Sequence, residues 1–187
     1  MRMGGVQNAL LVIGVLIVPL LFQGPLAAYA TRPENQELTE LLSDASGEAL
    51  KLAGDADEMQ TLIFNDANWV THELMLAKVK GHVDNMALII EKLSKAQKSG
   101  SELQEQAVQQ MLPLVKELSA NTTAAINYLN QNKARPISDS YTQYLNKNAE
   151  TAHQLSSIIS SLLEYQKGMA DIEKLRSKLV ASGGPTP

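Results

Sequence analysis

Between residues 34 and 64, apolar side chains return at steps of four and three: Leu38, Leu42, Ala45, Ala49, Leu52, Ala56, Met59 and Ile63. A repeat of this kind lays one apolar stripe along a helix, the seam that a coiled-coil-like bundle requires. A second stripe runs through Trp69, His72, Leu76, Val79, Val83, Met86, Ile90 and Leu93. A third holds Ala107, Met111, Leu114, Leu118, Ala125 and Leu129, widened by Val108, Val115 and Ile126. The fourth holds Tyr141, Leu145, Asn148, Ala152, Leu155, Ile159 and Leu162. Strand signals are nearly absent, with no Asn-Gly or Asp-Gly hairpin turn and no useful period-2 alternation.

The punctuation between stripes predicts helices over about 34–64, 67–97, 102–132 and 138–181. Pro33 suits a first helical turn, and Glu34 and Glu37 suit its positive dipole end. "FNDAN" at 64–68 and "NQNKARP" at 130–136 read as turns. Gly100 is placed to adopt a left-handed cap, and Ser101 with Gln104 forms a capping box. Pro113 is expected to kink the third helix and free the carbonyl of Gln109. Gly47 and Gly54 fall opposite the first seam, where each costs ~1 kcal/mol against alanine. Long helices joined by short loops pack against their sequence neighbours, which predicts an all-α, antiparallel up-down-up-down four-helix bundle over 31–182. Residues 183–187 read as a disordered tail.

The first thirty residues carry a different pattern. Arg2 is followed by an apolar run from Ala9 to Phe22, interrupted only by Gly14 and Pro19, and then by Ala28-Tyr29-Ala30. A membrane span needs ~20 apolar residues. The shorter run with a small-x-small motif predicts a signal peptide over 1–30, cleaved after Ala30. Export to the periplasm or the exterior follows, with membrane contact only through the signal peptide before cleavage.

There is no cysteine, which removes disulfides, thiolate metal sites, covalent haem attachment and a lipoprotein anchor. Residues 31–66 hold nine acids against Arg32 and Lys51, a charge of −7, whereas residues 67–187 carry +2. That balance argues against a nucleic-acid partner, which wants a basic face.

Candidate chemistry centres on three histidines. At 100° per residue His72 and His82 lie about 80° apart around their helix. His72 therefore belongs on the seam, packed at the core edge against Trp69 with one hydrogen bond, and should tolerate replacement by leucine. His82 is expected beside the seam and His153 at the surface, so alanine at either should scarcely matter. Glu150 and His153 match the Glu-x-x-His of di-iron bundles, but the second motif that such a site needs is missing. The serines of "SSIISS" at 156–161 lack an oriented base, and no Gly-rich phosphate loop is present. Asn121-Thr-Thr fits a glycosylation sequon inside a helix. Neither catalysis nor a resident cofactor or metal is predicted. The alternative is a haem or small-ligand carrier using His72 and Met59 in the bundle core, because His/Met ligation is chemically sound.

Several segments carry a resemblance: Trp69-x-x-His72, Lys80-x-His82, "AVQQMLPL" at 107–114 and "NTTAAINYLN" at 121–130. In these the chain resembles a group of uncharacterised exported bacterial four-helix-bundle proteins, over nearly all of the mature region. The resemblance implies the fold and the compartment, and no activity.

The fourth helix outruns the others by some 13 residues, or ~20 Å at 1.5 Å per residue. Beyond about Gly168 its stripe reads Met169, Ile172, Leu175 and Leu179, with Lys167, Lys174, Arg176 and Lys178 around it. Exposed apolar stripes usually mark interaction sites. The expectation is a non-catalytic structural or partner-binding module that engages a protein partner, or itself, through this overhang. The competing expectation is a break at Gly168, with the end folding back onto the acidic first helix.

Overall fold

A computed structural model describes residues 35–65 and 67–182, and these are helical with no strand among them. The apolar run, the expected cleavage site, Pro33, Glu34 and the tail 183–187 lie outside the described residues. Four helices follow in order: α1 Gln36–Thr61, α2 Trp69–Ala96, α3 Glu102–Gln131 and α4 Asp139–Ala181. Short 3-10 turns, Leu62–Phe64 and Gln97–Ser99, close the ends of α1 and α2.

Every helix starts at a side-chain cap. Asn35 Oδ1 accepts from the backbone N–H of Glu37 and Leu38, and Asn68 Oδ1 from Val70 and Thr71. Ser138 Oγ accepts from Tyr141, and Ser101 forms the expected reciprocal capping box with Gln104. These acceptors satisfy N–H groups that a helix start leaves without partners. The two asparagines also explain why α1 and α2 each begin two residues later than the sequence pattern predicts.

The helices pack as a ring, α1 against α2 and α4, and α3 against α2 and α4. Inside the ring, Leu38, Leu42, Leu52, Met86, Leu93, Met111, Leu118 and Leu155 are fully enclosed. Alanines 45, 49, 53 and 56 make α1 the slim member of the core. A second cluster gathers the end of α1 (Met59), the start of α2 (Leu76), the end of α3 (Ala125, Leu129) and the start of α4 (Tyr141, Leu145). The seams sit on the predicted positions with modest exceptions. Ile63 and Trp69 are half-buried, and on α3 Val115 takes the inward place while Leu114 is half-buried. α3 runs unbroken through Pro113, which is exposed, as is Gln109, so the carbonyl deprived of its donor lies on the solvent side.

Gly100 corrects one expectation. Its φ is −89° and ψ −179°, extended backbone open to any residue, so the left-handed cap is not formed. What requires glycine there is space. A Cβ would run into the Leu38 side chain and stand 2.7 Å from Gln104 Oε1. Both neighbours are buried. Gln104 is also held in place: its Oε1 accepts from the N–H of Ser101 (3.0 Å) and of Asn35 (3.4 Å), and its Nε2 donates to Thr39 Oγ1 (3.3 Å). This polar plug ties the start of α1 to the α2–α3 turn, and Gly100 is the hole into which it fits.

Two substitutions with opposite signs follow. Gly100→Ala overpacks the plug and is expected to lower stability by about 1–3 kcal/mol. Gly54→Ala, at an exposed helical site where nothing lies within 4 Å of the new Cβ, is expected to raise it by up to about 1 kcal/mol. Urea unfolding of the two variants reads both, and a neutral Gly100→Ala would refute the spatial explanation.

Candidate functional site

α4 is 43 residues long, against 26, 28 and 30 for α1, α2 and α3. Within the ring it buries Tyr141, Leu145, Asn148, Ala152, Leu155, Ile159, Leu162 and Gln166. From Lys167 to Ser182 every residue is exposed, and the helix passes Gly168 without a break. The fold-back onto α1 is therefore not formed. Ser182 closes the last turn, its N–H reaching the carbonyl of Lys178 at 3.0 Å.

The four residues predicted to meet a partner all lie on this projecting segment. Met169, Ile172, Leu175 and Leu179 are 46%, 48%, 60% and 64% exposed. Met169 still follows the buried seam, but the stripe leaves it from there on. At 100° per residue Ile172, Leu175 and Leu179 are rotated by roughly 140° from the line of Leu155, Ile159, Leu162 and Gln166. Glu173 occupies the position where that seam would have continued. More length on the other three helices would not cover this stripe.

His72 lies deeper than predicted. It is fully buried, and its partner is Tyr141 of α4: Nδ1 and the hydroxyl share a hydrogen bond of 3.2 Å, and the rings meet edge to face at 5.5 Å. Tyr141 is stacked in turn on Tyr128, while Trp69 lies beneath the Lys133 ammonium at 4.2 Å. No hydrogen bond reaches His72 Nε2. Burial pushes the imidazole below the ordinary histidine range, partly opposed by the Ala67 backbone. Burial likewise pushes the Tyr141 phenol well up. Met59 sits in the same end cluster, where Ala56, Met59, Leu76, Val79, Leu145 and Asn148 close on a gap with no room for a water molecule.

His82 is the histidine that the sequence reading undervalued. It is wedged between α1 and α2, with Nδ1 2.6 Å from Glu48 Oε1 and Nε2 3.0 Å from Asp55 Oδ2. The first contact is a hydrogen bond, whereas no hydrogen bond reaches Asp55 Oδ2. Lys78 Nζ lies 2.6 Å from Asp55 Oδ1, and Asn85 Nδ2 donates to Glu48 at 3.0 Å. Burial pushes the Glu48 carboxyl upward, but the hydrogen bonds from His82 and Asn85 and the charges of His82 and Lys51 outweigh it and hold it below the usual range. Both carboxylates are nearly buried. The sequence signal was available: Glu48 and Asp55 are one heptad apart, and Lys78, His82 and Asn85 repeat at four and three. These positions flank the seams, and only the pairing of α1 with α2 brings them together.

His153 is exposed, as expected, yet its Nε2 lies 2.9 Å from Asp57 Oδ1 of α1. Glu150 is exposed and pairs with Lys147. Among the described residues, no three His, Asp or Glu side chains converge to hold a metal ion, and no helix is long and apolar enough to cross a membrane.

Two of these environments yield measurements. His82→Ala would leave Glu48 and Asp55 short of a partner at a nearly buried interface, and is expected to destabilise by about 1–3 kcal/mol rather than the ~0.5 typical of surface sites. Thermal unfolding checks this, and a change within the surface range would mean that the network adds nothing. His72→Leu removes the hydrogen-bond partner of a buried phenol, with a similar expected penalty. Its pH dependence gives a second readout. Because the folded His72 resists protonation, below pH of about 6.5 only the unfolded chain takes up this proton. Stability present at neutral pH is thus lost as pH falls toward the depressed folded value. The gap in Tm between wild type and His72→Leu should narrow from pH 7 to pH 5; a constant gap would contradict this assignment.

Set against known protein families, curated proteins and solved structures, the chain matches none, so its function has to be argued from its own residues.

Proposed function

We infer that this protein is a non-catalytic, exported up-down-up-down bundle that works as a structural or partner-binding module of the bacterial envelope. The observation that carries the reading is the α4 projection, which is helical, exposed throughout and apolar along one side that its own bundle does not face. The alternating topology draws support from the end cluster, where the end of α1, start of α2, end of α3 and start of α4 meet. Export draws support from Arg2, the short apolar run and Ala28-Tyr29-Ala30. The haem-carrier alternative has His72 and Met59 in its favour, but His72 is engaged by Tyr141.

The test is truncation after Lys167. The overhang makes no contribution to the buried core, so the shortened protein is expected to keep the wild-type Tm. Any association seen by light scattering, with itself or with an added partner, should disappear. A fall in Tm by more than a few degrees in the monomeric protein would show that the overhang serves its own fold, and would sink the reading. Intact mass of the exported protein should begin at Thr31; a retained Met1 in a membrane fraction would overturn the export part.

A further inference from the structure

The geometry points to a second copy of this chain as the occupant of the α4 overhang, joined through a short parallel two-stranded coiled coil over 165–182. The inference rests on the partner-binding reading and names the partner. The residues fall into heptad register: Tyr165, Ile172 and Leu179 at a, Gly168 and Leu175 at d, Met169 and Arg176 at e, and Asp171 and Lys178 at g. At the central layer Ile172 at a with Leu175 at d is the combination that favours two parallel strands. Gly168 at the first d layer has open space around it, so two helices can approach closely where they leave their bundles. In this register Asp171 of one copy faces Arg176 of the other, and the symmetry makes the attraction twice. Both residues are exposed, and Arg176 makes a marginal 4.0 Å contact to Glu173.

The rest of the surface offers no better match. Leu50, Phe64, Val70, Leu74, Leu88 and Ile137 are exposed but sit apart from this segment, on the outer faces of α1 and α2 and in the loops. The acidic face of α1 could attract the lysines of the overhang, yet it presents no apolar strip to cover Ile172 and Leu175. The stripe is its own best complement, and a two-fold contact uses it up in a closed pair. The overhang is also helical before association, which removes the nucleation penalty that makes isolated helices of this length marginal.

The experiment is light scattering and sedimentation on the mature chain across the micromolar to millimolar range. Dimerisation is expected, with Leu175→Lys abolishing it and leaving the Tm of the bundle unchanged, because Leu175 touches nothing in the monomer core. Asp171→Arg should weaken the dimer about tenfold, by turning two attractions into repulsions, and Asp171→Arg with Arg176→Asp should restore it. Restoration by Asp171→Arg with Lys178→Asp instead would indicate an antiparallel pair and overturn the parallel register. A chain that stays monomeric throughout, or that remains monomeric while sedimenting with vesicles of anionic phospholipid, would overturn the second copy as occupant. In either case an unchanged Tm after truncation at Lys167 would leave the partner-binding reading standing.

Discussion

Everything in this molecule depends on four apolar seams closing on one another without covalent help. With no cysteine in the chain, the helices are held only by what they bury. A fully enclosed leucine is worth roughly 1.5–3 kcal/mol, whereas a typical hydrogen bond nets about 1 kcal/mol. The seam residues therefore supply most of the stability. The alanines of α1 set the shape of that core, since a slim helix lets α2 and α4 come close and brings their flanks within reach of α1. The polar contacts between helices are a consequence of this approach rather than its cause.

Apolar seams alone would leave the pairing of helices loosely specified, because one leucine stripe fits another in several registers. The flanks narrow the choice. Glu48 and Asp55 meet His82, Lys78 and Asn85 only if α1 lies beside α2 in the observed register. Asp57 with His153, and Gln60 with Asn146, do the same for α1 and α4. Asn148 and Thr122, bonded at 3.2 Å, do so for α3 and α4. For Glu48 and Asp55, which are nearly buried, desolvation is set against attraction, and buried pairs of this kind add little net stability. Their effect falls on the alternatives: a slipped register would bury the same carboxylates without partners.

This division explains what could be read from the sequence. The four stripes were legible because burial imposes a period, and period survives in one dimension. Helix starts were displaced by two residues where Asn35 and Asn68 captured the first N–H groups ahead of the residues that looked suited to the task. Gly100 was read for its backbone freedom, yet its role is to leave room for Leu38 and Gln104, residues 62 positions before and four after it. The partner of His72 is 69 residues away on another helix, and nothing local to "WVTHE" announces it. Flank residues were the hardest to read, because whether an acid near a seam is solvated or paired depends on which helix lies beside it. The overhang was legible for the opposite reason. Helix length is a local property, and comparing four lengths requires no knowledge of the pairing.

The direction of the overhang stripe carries more information than its exposure. If α4 had merely been extended, its apolar positions would follow the line of Leu162 and Gln166 and look toward the open end of the ring. Beyond Met169 they turn away instead, and Glu173 stands on the abandoned line. A stripe on the old line could be covered by a cap folding over the end of the bundle, whereas one turned aside could be covered only by something lying alongside α4. Such a neighbour must also be narrow, since the bundle's own end lies close to the first turn of the projection. A single helix meets both conditions, and a globular surface meets them only if it presents a helix or a matching groove. The geometry of α4 therefore limits by shape what could lie along this stripe, before any chemistry is considered.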